Sequence, residues 1–135
     1  MKVKPAVVLC VDNNPRRLMG SRLLLSIAGY AALPAHSGAA ALRILRRRRV
    51  DLLIMDHLLP GLAGPELTAF IKELRPKVPV VLLIEGQERP PGAERTDQVL
   101  RKDTDPAELL AMIGRLVAKR ESTPAVQRRQ PSKQR

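Results

Sequence analysis

A chain of 135 residues is long enough for one domain with a buried core. Its hydrophobic fraction is 44% but its aromatic fraction only 1%, from Tyr30 and Phe70, so the core must be built from Leu, Val, Ile and Ala, and the stacking platforms that grip single-stranded nucleic acid are absent. A net charge of +11 is compatible with nucleic acid, an acidic protein or an anionic surface as partner and says nothing of the fold, while a single cysteine excludes an internal disulfide and fits a reducing compartment.

The first apolar run, "AVVLCV" (6–11), is continuous rather than alternating, the pattern of a parallel strand covered on both faces. Cys10 lies inside it and reads as a small buried hydrophobe. The run is too short for a secretory signal, and no stretch approaches the roughly 18 apolar residues of a membrane span, so a soluble cytoplasmic protein is expected. Residues 15–28 read as a helix, with Pro15 in its first turn and Gly29 past its end. "YAALPA" (30–35) is a strand at a sheet edge, because Pro34 cannot donate to a ladder. Ser37 caps a second helix whose Ala41, Leu42 and Leu45 share a face. That helix ends in "RILRRRR" (43–49), where cations complement the dipole.

"LLIM" (52–55) is a third strand, closed by Asp56 and followed by a turn rich in Pro and Gly. Pro65 opens a helix with Leu67, Phe70, Ile71 and Leu74 on one stripe. "VPVVLLI" (78–84) is a fourth strand and "QVLR" (98–101) a short fifth at the opposite edge. Asp105, Pro106 and Glu108 mark the start of the last helix in the manner of a capping box, and Leu109, Leu110, Met112, Ile113, Leu116 and Val117 give it a broad apolar face. Beyond Glu121 the chain is polar and basic without periodicity. The expected organisation is therefore a domain over 1–120 and a disordered tail over 121–135.

A strand–helix alternation repeated five times predicts a doubly wound α/β fold with a parallel sheet. Such sheets bind ligands beyond the carboxyl ends of their strands. Asp12, Asp56, the Ile84–Glu85 pair and Lys102 each follow a strand and should meet at one rim. No spacing of His, Cys, Asp and Glu suggests a zinc site. His57, next to Asp56, is expected to face a helix or solvent, and His36 has no evident partner.

The Asp closing the third strand before "LLPGLAG", the "VDNNP" turn (11–15) and Lys102 together resemble a response-regulator receiver domain of two-component signalling, over roughly residues 5–118. The resemblance implies a flavodoxin-like (βα)5 fold with strand order 2-1-3-4-5, phosphorylation of Asp56 and a phosphoryl contact from Lys102. It also implies Mg²⁺ held by Asp12, Asn13, Asp56 and the backbone carbonyl of Leu58, weakly, since Asn13 stands where the family has a second acid. Three further positions depart from the family pattern. Ile84 replaces the Ser or Thr that ends the fourth strand, Val99 the aromatic switch residue, and Asp103 the proline after the lysine. The short segment "EGQERPPGAERTDQV" (85–99) implies a shortened or lost fourth helix.

The implied function is a stand-alone, atypical receiver without a Thr/Tyr switch. Its expected partners are a histidine kinase or phosphotransfer protein and a downstream signalling protein. Two alternatives stand beside it: a phosphorylation-independent pseudo-receiver, and a basic nucleic-acid-binding protein using Arg46–Arg49 and the tail. No nucleophile–base pair or Gly-rich phosphate loop suggests an enzyme.

Overall fold

The computed structural model describes residues 4–59 and 64–133. Along them run β1 (Val7–Val11), α1 (Pro15–Ile27), β2 (Ala31–Ala35), α2 (Gly38–Arg47) and β3 (Leu52–Asp56). There follow α3 (Gly64–Leu74), β4 (Val80–Ile84), β5 (Gln98–Arg101) and α4 (Pro106–Lys133). A single 3-10 turn, Ala93–Arg95, stands between β4 and β5 where a fourth helix would complete the alternation. The Pro90-Pro91-Gly92 segment leaves no room for that helix.

All five strands are parallel, in the order β2-β1-β3-β4-β5. Pro34 sits in β2 opposite Cys10, at the sheet edge where its missing donor does least harm. The continuous apolar strands serve two cores at once. On one face Leu9, Val11, Leu53, Met55, Val80 and Leu82 pack with Ala41 and Leu45 of α2 and Leu67 and Ile71 of α3. On the other, Val8, Cys10, Leu52, Ile54 and Val81 pack with Leu18 and Leu25 of α1 and Met112, Ile113 and Val117 of α4. Adjacent residues of each strand thus point to opposite cores, which is why the strands show no polar alternation.

The helix ends follow from local chemistry. The Asn14 Oδ1 accepts from the backbone N–H groups of Arg16 and Arg17, capping α1. At the other end Gly29 takes a φ of +98°, the Gly29 N–H donates to the Ser26 carbonyl and the Tyr30 N–H to the Leu25 carbonyl, which together make a Schellman turn. Ser37 caps α2 through the Ala40 N–H, and Asp105 caps α4 through the Ala107 N–H.

Two sequence expectations need correction. Phe70 is not buried with Leu67 and Ile71 but remains 50% exposed. It borders a shallow groove with Pro91 and Gly92, because only the 3-10 turn flanks α3 on that side. The last helix also does not stop near residue 120, since α4 runs on to Lys133. Residues 125–130, "AVQRRQ", are mostly good helix formers, while Pro124 and Pro131 in the same span each lack the N–H of the helical ladder. The Pro60–Ala63 stretch of the turn after Asp56 lies outside the described residues.

Candidate functional site

The site is assembled where β1, β3 and β5 end. Asp12 follows β1 directly, and its Oδ1 accepts from the Asn14 N–H at 2.9 Å. The same Asn14 caps α1, so one short turn fixes both a carboxylate and the start of a helix. Asp56 closes β3 with its side chain 1% exposed, and its Oδ1 accepts from the Leu58 N–H at 3.1 Å. Lys102 stands just past β5, held by its backbone N–H donating to the Ile84 carbonyl at 2.8 Å. Its Nζ lies 3.0 Å from the Asp56 Oδ1 and 3.8 Å from the Glu85 Oε2. A cavity of about 390 Å³ opens over these groups, bordered by Asn13, Pro15, Arg17, Asp56, Glu85 and Lys102.

Arg17 is the member that sequence reasoning missed. It occupies the first turn of α1, and its Nε and Nη2 grip Asp12 at 3.0 and 3.2 Å. The same Nη2 donates to the Asp56 Oδ2 at 3.1 Å. One guanidinium thus spans two carboxylates, Asp12 at 8% exposure and Asp56 at 1%. The hydrogen bond to Asp12 pushes the Arg17 guanidinium above its ordinary range, and the charges of Asp12, Asp56 and Glu85 act in the same direction. A signal for this did exist in the sequence. A cation in a helix's first turn opposes the dipole, and α1 has no acid there to offset it, so such a residue calls for an anionic partner.

The other predicted positions fall as follows. Asn13 is exposed at the cavity rim, and the Leu58 side chain is 57% exposed. Ile84 ends β4 buried at 3%, and Val99 packs half-buried against the α2–α3 core. Neither offers a polar group. Asp103 points away from the site into a two-pronged pair with Arg101, at 3.0 and 2.8 Å. His57 faces neither helix nor solvent as expected. It folds against the neighbouring strand, its Nδ1–H donating to the Leu83 carbonyl at 3.0 Å, because that carbonyl lies beside the end of β3.

A doubly wound parallel sheet with carboxylates and a lysine at its carboxyl-end rim defines an α/β module of the rim-site type. Residues 8–114 match the response regulator receiver domain family, and the chain belongs to it. It is 38% identical over 98 residues to the transcriptional regulatory protein GlrR of Escherichia coli (strain K12), a match covering 73% of this chain but only 22% of that protein. The signal receiver domain of an HD domain-containing protein from Pseudomonas fluorescens Pf-5 superposes with a TM-score of 0.83 at 27% identity, covering 93% of this chain and 96% of that one. The response regulator TrrA from Thermotoga maritima, solved in complex with Mg²⁺-BeF, gives 0.77 at 24% identity over 82% of this chain and 98% of that one. The protein is therefore a receiver domain of two-component signalling, a class of module that works with histidine kinases or phosphotransfer proteins. Among the described residues, no helix is long and apolar enough to cross a membrane.

The donor set present does not fit Mg²⁺ as it stands. Every carboxylate oxygen of Asp12 and Asp56 already accepts from an N–H group. The charges of Arg17 and Lys102 cancel those of the two acids. Among the described residues no group of three His, Cys, Asp or Glu is gathered to hold a metal ion. A hard dication would have to compete with the Arg17 guanidinium and the Lys102 ammonium for these oxygens.

Proposed function

We propose that this receiver accepts a phosphoryl group on Asp56, in the cytoplasm, from a histidine kinase or phosphotransfer protein, and passes the signal on by protein–protein contact. One observation carries the reading. A carboxylate 1% exposed is held at the floor of an open cavity with an ammonium 3.0 Å away and a guanidinium 3.1 Å away. In the transfer, an Asp56 oxygen bonds to phosphorus as the bond from phosphorus to the donor's imidazole nitrogen breaks, and the donor ring, protonated beforehand on its other nitrogen, leaves as neutral imidazole. The obstacle is the meeting of two anions. Fixed cations beside the acceptor offset that charge without any reorganisation at the moment of transfer. Lys102 would then keep hold of the acyl phosphate. With Ile84 and Val99 apolar, no hydroxyl or aromatic relay follows, so the signal is read at the rim itself.

The N–H donors already set on all four carboxylate oxygens favour a second reading, a receiver that binds partners without being phosphorylated. Incubation with acetyl phosphate or phosphoramidate followed by intact-mass measurement separates the two. The first reading expects a gain of one phosphoryl group, absent from Asp56→Asn and reduced in Lys102→Ala. No gain in the wild type, or an undiminished gain in Asp56→Asn, rejects it.

A further inference from the structure

We infer that Arg17 is the resident cation of this site, and that its guanidinium shuts divalent metal out by occupying both carboxylates that would bind it. The inference does not depend on Asp56 being phosphorylated, only on the geometry at the rim.

Two carboxylates buried this deeply side by side at the carboxyl end of the sheet call for an opposite charge between them. Arg17 meets that need from the protein's own chain. It takes Asp12 side-on through Nε and Nη2, the two-pronged arrangement in which a planar guanidinium matches a carboxylate best. With the remaining hydrogen-bonding capacity of Nη2 it reaches Asp56. Its backbone is fixed at the helix start, while its side chain stays 42% exposed. The Arg17 N–H is bound to the Asn14 cap, and Asn14 in turn is bound to Asp12, so the cation, its helix and its first partner form one closed unit. Lys102 holds the other Asp56 oxygen. A dication entering between Asp12 and Asp56 would have to break three of these hydrogen bonds and then sit beside the displaced positive charge. Exposed Asn13 supplies no charge to help it.

The consequence is that Asp12 and Asp56 are matched in charge by Arg17 and Lys102 without metal, with Glu85 beyond them at the rim, and that removing Arg17 should create a metal site rather than destroy one. The test is an Mg²⁺ titration followed by amide NMR and by thermal unfolding, on the wild type and on Arg17→Met. In the wild type the amides of Asp12, Asn13, Asp56 and Leu58 should stay in place through the millimolar range, and the unfolding midpoint should be indifferent to Mg²⁺. In Arg17→Met those amides should shift saturably, with affinity at least about tenfold above any in the wild type, as expected when a neighbouring positive charge is taken away. Its unfolding midpoint should climb with Mg²⁺. Should that variant not fold, Arg17→Gln, which keeps a donor and loses the charge, takes its place. Saturable Mg²⁺ binding by the wild type at the variant's affinity overturns the inference, and so does a failure of both variants to bind. Neither outcome bears on acetyl phosphate labelling of Asp56, so loss of this inference and loss of the phosphoacceptor reading are told apart.

Discussion

Cys10 shows how far burial alone can alter a side chain's chemistry. It is 3% exposed between the strands and the α1–α4 layer, and loss of solvation pushes its thiol from 9.0 up to about 12, with Asp12 adding to the rise and Arg22 opposing it. Below pH 9 the thiol is neutral in both folded and unfolded chains and contributes no pH dependence. As the pH rises from 9.0 towards 12 the unfolded thiol ionises while the folded one cannot, so stability is lost at about 1.4 kcal/mol per unit. Urea unfolding of the wild type and Cys10→Ala should therefore show a stability gap at pH 8 that narrows by about that amount near pH 10. A gap independent of pH would mean that the thiol is solvated. Cys10 was legible because a cysteine inside "VVLCV" can only be core. Arg17 was legible only as a first-turn cation in want of an anion, because its partner Asp56 is 39 residues away and a long-range bridge leaves no trace in periodicity.

One carboxylate ties three elements together where the fourth helix is missing. The Asp97 Oδ2 accepts from the Lys72 Nζ at 2.6 Å and from the Val80 N–H at 2.7 Å, and Lys72 also donates to the Val78 carbonyl at 2.9 Å. The last turn of α3, the start of β4 and the approach to β5 are pinned at one point. Asp97→Ala leaves the Val80 N–H and the ammonium without that acceptor and should cost about 1–3 kcal/mol in chemical denaturation. Asp103→Ala, which removes only the exposed pair with Arg101, should cost nothing resolvable. Equal effects from the two would show that the Asp97 tie is no more than a surface contact. At this scale the sequence was readable wherever an element announces itself by its own chemistry. The caps at Ser37 and Asp105, the stop at Gly29 and the proline in the edge strand all act within a turn of where they stand. Phe70 was misread because its burial depends on a neighbour some twenty residues further on, and its spacing with Leu67 and Ile71 says nothing of whether that neighbour is a helix or a single 3-10 turn.

Over the whole molecule, charge and core are distributed differently, and this argues for where the domain ends. Among the described side chains the last buried in the core is Val117, while residues 119–135 carry six basic residues against Glu121, which is +5 of the total +11. The basic run at Arg46–Arg49 is partly accounted for within the fold, since Arg46 and Arg47 complement the C-terminal end of α2 and Arg49 pairs with Asp51. We therefore propose that the receiver unit is complete at about residue 120, and that the basic extension bears on partners rather than on stability. Removing residues 121–135 should leave the unfolding midpoint within about 3 °C of the full chain, a shift below about 1 kcal/mol for a domain of this size. The Asp56 labelling should be unchanged. Any affinity of the full chain for DNA should fall, and its dependence on log salt should flatten by up to about four units, one for each of Arg128, Arg129, Lys133 and Arg135 that meets a phosphate. A larger drop in midpoint would place the far end of α4 in the fold's own packing, and an unaltered salt slope would remove the extension as a nucleic-acid contact.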